Sequence, residues 1–351
     1  MSTLVQSEPS LQAGAAPGSA RHLVDLAYRF REHGIVAVLA LFVIATTAIQ
    51  PRFLNSSNIK FTLLNATIFG FLALGQTVVI VSRNVDLSVG SILGLSAYLS
   101  SAYLADHPGT PIPLVFALGL AIGLVCGMVN GAVTALGRVP SLVVTIATLY
   151  IIRGVDTVIV GGREVVANSL PDSFLSLGTS TIAGIPVITI GSVVVIAAGA
   201  YFLRNFRSGR ELYAIGSNPD AARLAGIAIG RRVFGAFAFS GAIAGLSGVM
   251  WAAYYGTIDS TAGTNYELQV VAACVVGGVA IFGGSGSAVG AAVGALLIAT
   301  ISQALYVLGI SSFWEQAIYG LLLLVAISLD RAIALRLTSA LRKRSYQQRA
   351  A

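Results

Sequence analysis

The 351-residue chain is 56% hydrophobic and only 10% charged, with a mean hydropathy of +0.85. A soluble domain carries about a quarter charged residues, so this composition excludes a soluble enzyme or binding module and defines a multi-pass membrane protein. The net charge of +7 would suggest nucleic acid in a soluble chain; in a membrane chain it reflects the bias of Arg and Lys toward cytoplasmic loops, and no nucleic-acid partner is expected.

Residues 1–20 are rich in Ser, Ala, Gly, Pro and Gln and lack an apolar run, so they read as a disordered stretch within a cytoplasmic tail covering 1–32. A helix that crosses the bilayer needs about 20 mostly apolar residues. That template predicts an all-α domain over 33–330 with ten transmembrane helices, near 33–50, 60–82, 87–105, 112–137, 141–160, 186–203, 233–256, 267–283, 287–308 and 314–330. The third and eighth are short or interrupted by glycine, the pattern of broken or tilted spans. A basic cytoplasmic tail, 331–351, follows.

The basic residues test that count. With both termini inside, ten spans put every Arg and Lys but Arg52, Lys60, Arg153 and Arg163 on the cytoplasmic side, out of 21. Nine or eleven spans would put the C-terminal basic cluster on the wrong side. The expected location is the bilayer of a cytoplasmic (inner) membrane.

Within the spans, Val89-Gly90-Ser91 with Gly94 recurs 200 residues on as Val289-Gly290-Ala291 with Gly294, which reads either as the trace of two related halves or as chance recurrence in a glycine-rich chain. The fourth span carries Gly119, Gly123, Gly127 and Gly131 on one helical face, a close-contact surface for a helix of this chain or of a second copy. Polar groups inside lipid are costly and are candidates for function. Asp86, at the join of the second and third spans, reads either as an N-cap or as part of a pathway or gate. Asn65, Gln76 and Asn130, the other candidate pathway residues, and Gln303, a further mid-span polar group, either glue helices together or line a polar pathway. Arg153 and Asp156 can pair at i,i+3, and Glu267 and Glu315 suit the first turns of their helices.

The longest polar interval, Arg204 to Arg232, holds six arginines against Glu211 and Asp220. Inside it is a short amphipathic helix signature, with Asn218 as N-cap, Pro219 at the first helical position and Gly226 as terminator. What the chain lacks is equally informative. There is no Gly-x-x-x-x-Gly-Lys-Ser/Thr loop to cradle phosphate, no Ser/His/Asp arrangement, and no series of carboxylates and histidines for proton coupling. Cys126 and Cys274 lie in apolar runs, and the three histidines are scattered, so neither cofactor nor metal is expected. A transporter without ion-coupling groups takes its energy from another subunit, and the 204–232 loop is where that energy would arrive.

The motifs carry a resemblance over about residues 35–330. They are Gly75-Gln76-Thr77, Asn84-Val85-Asp86-Leu87-Ser88-Val89-Gly90, Pro140-Ser141-Leu142-Val143-Val144-Thr145-Ile146-Ala147-Thr148, Gly216-Ser217-Asn218-Pro219-Asp220-Ala221-Ala222-Arg223-Leu224-Ala225-Gly226, and Gly277-Gly278 with Gly283-Gly284 and Gly286. The chain resembles the permease subunits of bacterial ATP-binding-cassette importers for monosaccharides, a group that also includes rhamnose and autoinducer-2 importers. Where relatives commonly have two glycines before the Asp-Leu-Ser motif, Ser82-Arg83-Asn84-Val85 stands here.

The resemblance implies a pair of permeases, either two copies or a copy with a homologous partner, two cytoplasmic ATPase subunits and an extracytoplasmic sugar-binding protein. It implies that Asn218, Pro219, Asp220, Ala221, Ala222, Arg223 and Gly226 form a coupling helix seated on the ATPase. The chain itself would be a transport subunit and not an enzyme, moving a small sugar or polyol-like solute inward. Loaded binding protein would dock on the outer loops near 161–185 and 257–266. A branched-chain amino-acid permease of the same superfamily and an ion-coupled secondary carrier are the alternatives.

Overall fold

The computed structural model describes residues 18–328 and 331, with side chains from residue 34 on. Residues 1–17 of the stretch expected to be disordered (1–20) and nearly all of the basic C-terminal tail lie outside the described residues. In chain order the helices are α1 (Gly18–Ile49), α2 (Ser56–Val81), α3 (Val89–Asp106), α4 (Ile112–Ala135), α5 (Ser141–Val160), α6 (Asp172–Thr179) and α7 (Val187–Asn205). They continue with α8 (Arg207–Ser217), α9 (Pro219–Leu224), α10 (Ile229–Tyr255), α11 (Tyr266–Val276), α12 (Ala288–Val307) and α13 (Trp314–Ser328). One two-residue hairpin, Thr181–Ile182 with Ile185–Pro186, is the only sheet among the described residues, so the all-α expectation holds.

Each apolar segment read from the sequence contains a helix. Six of them, α2, α4, α5, α7, α10 and α12, are long and apolar enough to cross a membrane; the apolar part of α1 (Gly34–Ile49), α11 and α13 are shorter. Three expectations need correction. The segment expected to span 267–283 is helical only to Val276, because Gly278, Gly283, Gly284 and Gly286 take positive φ and carry the chain into an irregular loop. Helix α1 begins at Gly18, inside the expected tail. The polar interval 204–232 is largely helical, since α8 and α9 fill most of it.

Helix α2 is apolar all round and sits at the centre, with 94% of its apolar window buried in protein, against 22% for α4 and 28% for α5 and α7. The outer helices therefore turn most of their surface toward lipid or a partner.

The glycine face of α4 finds its partner within the chain. Carbon atoms at Gly119, Gly123 and Gly127 would run into the α10 backbone at Gly245, Gly241 and Phe237, and Gly241 and Gly245 are equally closed by α4. A Cβ on Gly127 would lie 3.0 Å from the Cα of Gly241. Backbones pack directly, which in lipid is how helices gain dispersion contact without a hydrophobic driving force. Ser96 of α3 locks the pair by donating to the Gly245 carbonyl at 2.8 Å.

The echo between residues 89–94 and 289–294 has a common structural role. Gly90 and Gly94 open α3 against the carbonyls of Gly263 and Ala262, and Gly290 and Gly294 open α12 against those of Gly277 and Ala273. In both places a short core helix starts after an irregular loop and lies too close to neighbouring backbone for a side chain.

Candidate functional site

Helix α2 ends in a Schellman motif: Arg83 N–H donates to Ile80 O at 2.8 Å and Asn84 N–H to Val79 O at 3.3 Å. The residue at its left-handed position is Arg83, with φ +68°, at the place where glycine would cost nothing. Arg83→Gly is therefore expected to raise stability by about 1 kcal/mol, read as a higher Tm in detergent; an unchanged or lower Tm would count against strain at this turn.

From Asn84 to Ser88 the backbone is irregular and lies against α2, α5 and α10 before α3 begins. Irregular backbone at such depth survives only where side chains satisfy it, and here they do. With its amide oriented to satisfy both groups, Gln76 pairs with residue 86 like a peptide group, donating to Asp86 O at 3.0 Å and accepting from Asp86 N–H at 3.3 Å. Val85 N–H donates to Ser141 Oγ at 3.2 Å, and Thr145 Oγ1 donates to Val85 O at 3.2 Å.

The Asp86 carboxylate then ties the segment to the bundle. Its Oδ1 accepts from Ser88 N–H (3.0 Å) and Ser88 Oγ (2.6 Å), and its Oδ2 accepts from Ser240 Oγ of α10 at 3.0 Å. Asn130 of α4 donates to Ser88 Oγ at 2.8 Å. Three of the four candidate pathway residues, Gln76, Asp86 and Asn130, thus meet in one network, and all are 0% exposed. None faces open space. The N-cap position of α3 is held by Ser88, so Asp86 is not the cap expected from the sequence.

Asn65 stands apart, near the other end of α2. Its Nδ2 donates to Phe61 O at 3.0 Å, and its Oδ1 accepts from Tyr255 OH at 3.1 Å, in a cluster with Phe61 and Tyr254. Gln303 joins α12 to α2 by donating to Asn58 Oδ1 at 2.9 Å. Arg153 lies 3.7 Å from Asp156, but its closer partners are the carbonyls of Ala262 (2.7 Å) and Ser260 (3.1 Å), with Gly90 at 3.3 Å. It therefore staples α5 to the loop before α11 and the start of α3. Two loops also join: Val165 and Ile258 exchange backbone hydrogen bonds at 2.9 Å.

Beneath the irregular segment lie α8 and α9. Gly216 of α8 leaves no room for a Cβ between the Val81 carbonyl and the Gly284 N–H, and Gly284 N–H itself donates to Val81 O at 3.0 Å. Tyr213 OH donates to Gly286 O at 2.9 Å. The end of α2, the 277–287 loop and α8 therefore form one packed unit.

Glu211 fastens that unit to α10 by accepting from Arg207 Nε at 2.8 Å and Arg232 Nε at 2.5 Å. These two guanidinium hydrogen bonds hold its carboxyl below the usual range. A carboxylate depressed in the folded state stabilises at neutral pH and loses that contribution as pH falls through its folded pKa. Wild type is therefore expected to lose Tm below about pH 4.5 more steeply than Glu211→Gln; parallel profiles would show the clamp contributes nothing.

Helix α9 has the expected ends. Asn218 Oδ1 accepts from the N–H groups of Asp220 and Ala221, both at 3.1 Å, Pro219 is the first helical residue, and Gly226 follows with φ +76°. Its helical part is shorter than expected, Pro219–Leu224. Ala222 turns inward at 3% exposure, whereas Asp220 and Arg223, 3.7 Å apart, are open to solvent. Leu224 is 91% exposed. The sequence assigned no individual role to Leu224, Ser88, Ser240 or Glu211. A large apolar residue at the end of a short helix in a polar interval was the available signal for Leu224, and the Asp-Leu-Ser motif was the signal for Ser88; for Ser240 there was none, because it does not stand out in a chain with many serines.

A helical bundle with a buried irregular break and a small capped helix exposed to solvent matches what is expected of a membrane transport subunit. The chain belongs to the family described as branched-chain amino acid transport system / permease component, which matches residues 58–327. It is 33% identical over 313 residues to the autoinducer 2 import system permease protein LsrC of an Enterobacter species, covering 89% of this chain and 90% of that one. It is 32% identical over 305 residues to the ribose import permease protein RbsC of Haemophilus influenzae, covering 86% and 94%. A probable ABC transporter permease of Sinorhizobium fredii, y4mJ, is 34% identical over 322 residues, covering 91% and 95%. No solved structure matches the chain significantly. The protein is thus a permease subunit of an ATP-binding-cassette importer of the inner membrane; ATP hydrolysis belongs to a partner chain, and importers of this family work with ATPase and substrate-binding partners.

Proposed function

We propose that this permease forms the inward path for a monosaccharide or a similar small polyol-like solute. The names of relatives that import ribose and autoinducer 2 support that substrate class over a branched-chain amino acid. In this reading all ten apolar segments cross or enter the bilayer, both termini are cytoplasmic, and the two breaks at 82–88 and 277–287 belong to related halves. The pore is completed by a second permease, identical or homologous.

The observation that carries the mechanism is the seating of α8 directly on both breaks. ATP-driven closure of the ATPase pushes on Asn218–Gly226; α8 passes that displacement to the end of α2 and the 277–287 loop as a rigid body. Gln76, Asp86 and Asn130 then act by holding the irregular segment in register rather than by touching solute, and Asn65 with Tyr255 faces the outer approach. Loaded binding protein docks on the outer surface, where the Val165–Ile258 pairing joins two loops.

The test is reconstitution with the cognate ATPase and binding protein, measuring uptake of labelled D-ribose and competition by other pentoses and by leucine. ATP-dependent uptake blocked by pentoses and indifferent to leucine is expected. Accumulation against a gradient without ATP or ATPase would overturn the reading.

A further inference from the structure

Of the six arginines between 204 and 232, three have carboxylate partners: Arg207 and Arg232 on Glu211, and Arg223 near Asp220. Arg204, Arg210 and Arg231 have none among the described residues, and the first two line the same groove between α1, α7 and α12, of about 1200 Å³. Arg204 lies in the last turn of α7, and Arg210 is folded back over that helix end by donating from Nη1 to Asn205 O at 2.6 Å. The polar end of the groove also holds the Tyr213 side chain and the N-terminus of α12 at Ser287–Gly290, whose helix dipole favours negative charge. The rest of the wall is aliphatic, including Val36 and Ala40 of α1, Ala200 of α7 and Val293 of α12.

We propose that this groove binds an anionic phospholipid, its headgroup held by Arg204, Arg210 and the α12 N-terminus and its acyl chains lying along α1 and α7. Two cations and a helix N-terminus at one end of an apolar trough complement an amphiphile with a negative head. A sugar would find almost no hydrogen-bonding partners along the aliphatic wall, so the groove is separate from the solute path, and the inference does not rest on the substrate reading. Because Tyr213 also touches the 277–287 loop, lipid seated here would brace the unit that α8 moves.

The test uses the full-length permease incubated with mixed phosphatidylglycerol and phosphatidylcholine vesicles, extracted in mild detergent and weighed by native mass spectrometry. Wild type is expected to retain phosphatidylglycerol in preference to phosphatidylcholine. Arg204→Gln with Arg210→Gln should lower that retention roughly thirtyfold, and Ala40→Trp, which fills the trough without removing charge, should lower it as well. Both sites are exposed, and an unchanged Tm will confirm folding. Equal retention in wild type and both variants overturns the proposal. So does displacement by inorganic phosphate with Ala40→Trp silent, which would mark a small-anion site. A changed oligomeric state with unchanged lipid retention overturns it in favour of a protein partner.

Discussion

Gly123→Leu or Gly241→Leu is expected to leave no assembled permease in the membrane. At both positions a side chain would have to occupy the space of the facing helix backbone: at Gly123 a Cβ lies 2.8 Å from the Gly245 Cα, and at Gly241 2.6 Å from the Gly127 Cα. Neither obstacle is the movable end of a flexible side chain, so α4 and α10 must separate along their whole contact. Separation also removes the acceptors of Ser96, which bonds the Gly245 carbonyl, and shifts Asn130 and Ser240 away from Ser88 and Asp86. Overpacking of this kind costs about 3 kcal/mol or more, and the lost polar contacts add to it. The measurement is yield and monodispersity after extraction, with Gly154→Leu as control, since nothing lies within 4 Å of a Cβ there. If Gly241→Leu yields a monodisperse protein with a native Tm, the glycine face is not what holds the bundle.

The second large effect concerns α9. Leu224→Asp is expected to abolish ATP-driven transport while leaving the permease folded. Leu224 is 91% exposed and makes no demand on the core, so its replacement has little to disturb within this chain. An apolar anchor at the centre of a small interface is worth about 2 kcal/mol or more, roughly thirtyfold in association with the ATPase. Arg223→Glu should act in the same direction, because the exposed Arg223–Asp220 pair contributes little to this chain and leaves both charges available to a partner. A glycine inserted after Ala222 should uncouple as well by turning Leu224 about 100° around the helix axis. Tight coupling and normal ATPase co-purification in all three variants would mean that another surface receives the work.

Much of this protein was legible from its residues, and the reasons are physical. Lipid permits few backbone solutions, so apolar length alone located every helix that forms the bundle. The ends of α9 were equally legible, because an N-cap, a proline and a left-handed glycine act over a few residues. Arg153 was legible only in part: its i,i+3 pairing with Asp156 is present at 3.7 Å, but its closer partners, the carbonyls of Ala262 and Ser260, are brought to it by a loop about a hundred positions away.

Sequence alone thus determined that this is a polytopic helical membrane protein, that four glycines on α4 make a close face, and that a capped helix lies in the polar interval; the permease reading came from its resemblance to a known family. Composition, periodicity and capping are local properties and need no fold to be read. Only the tertiary structure decided that the close face meets α10 of the same chain, that Gln76, Asp86 and Asn130 meet in one buried network around the break, and that α8 packs against α9 and both breaks. Those facts depend on which segments distant in sequence share a neighbour, and in lipid many apolar faces are interchangeable until packing selects one.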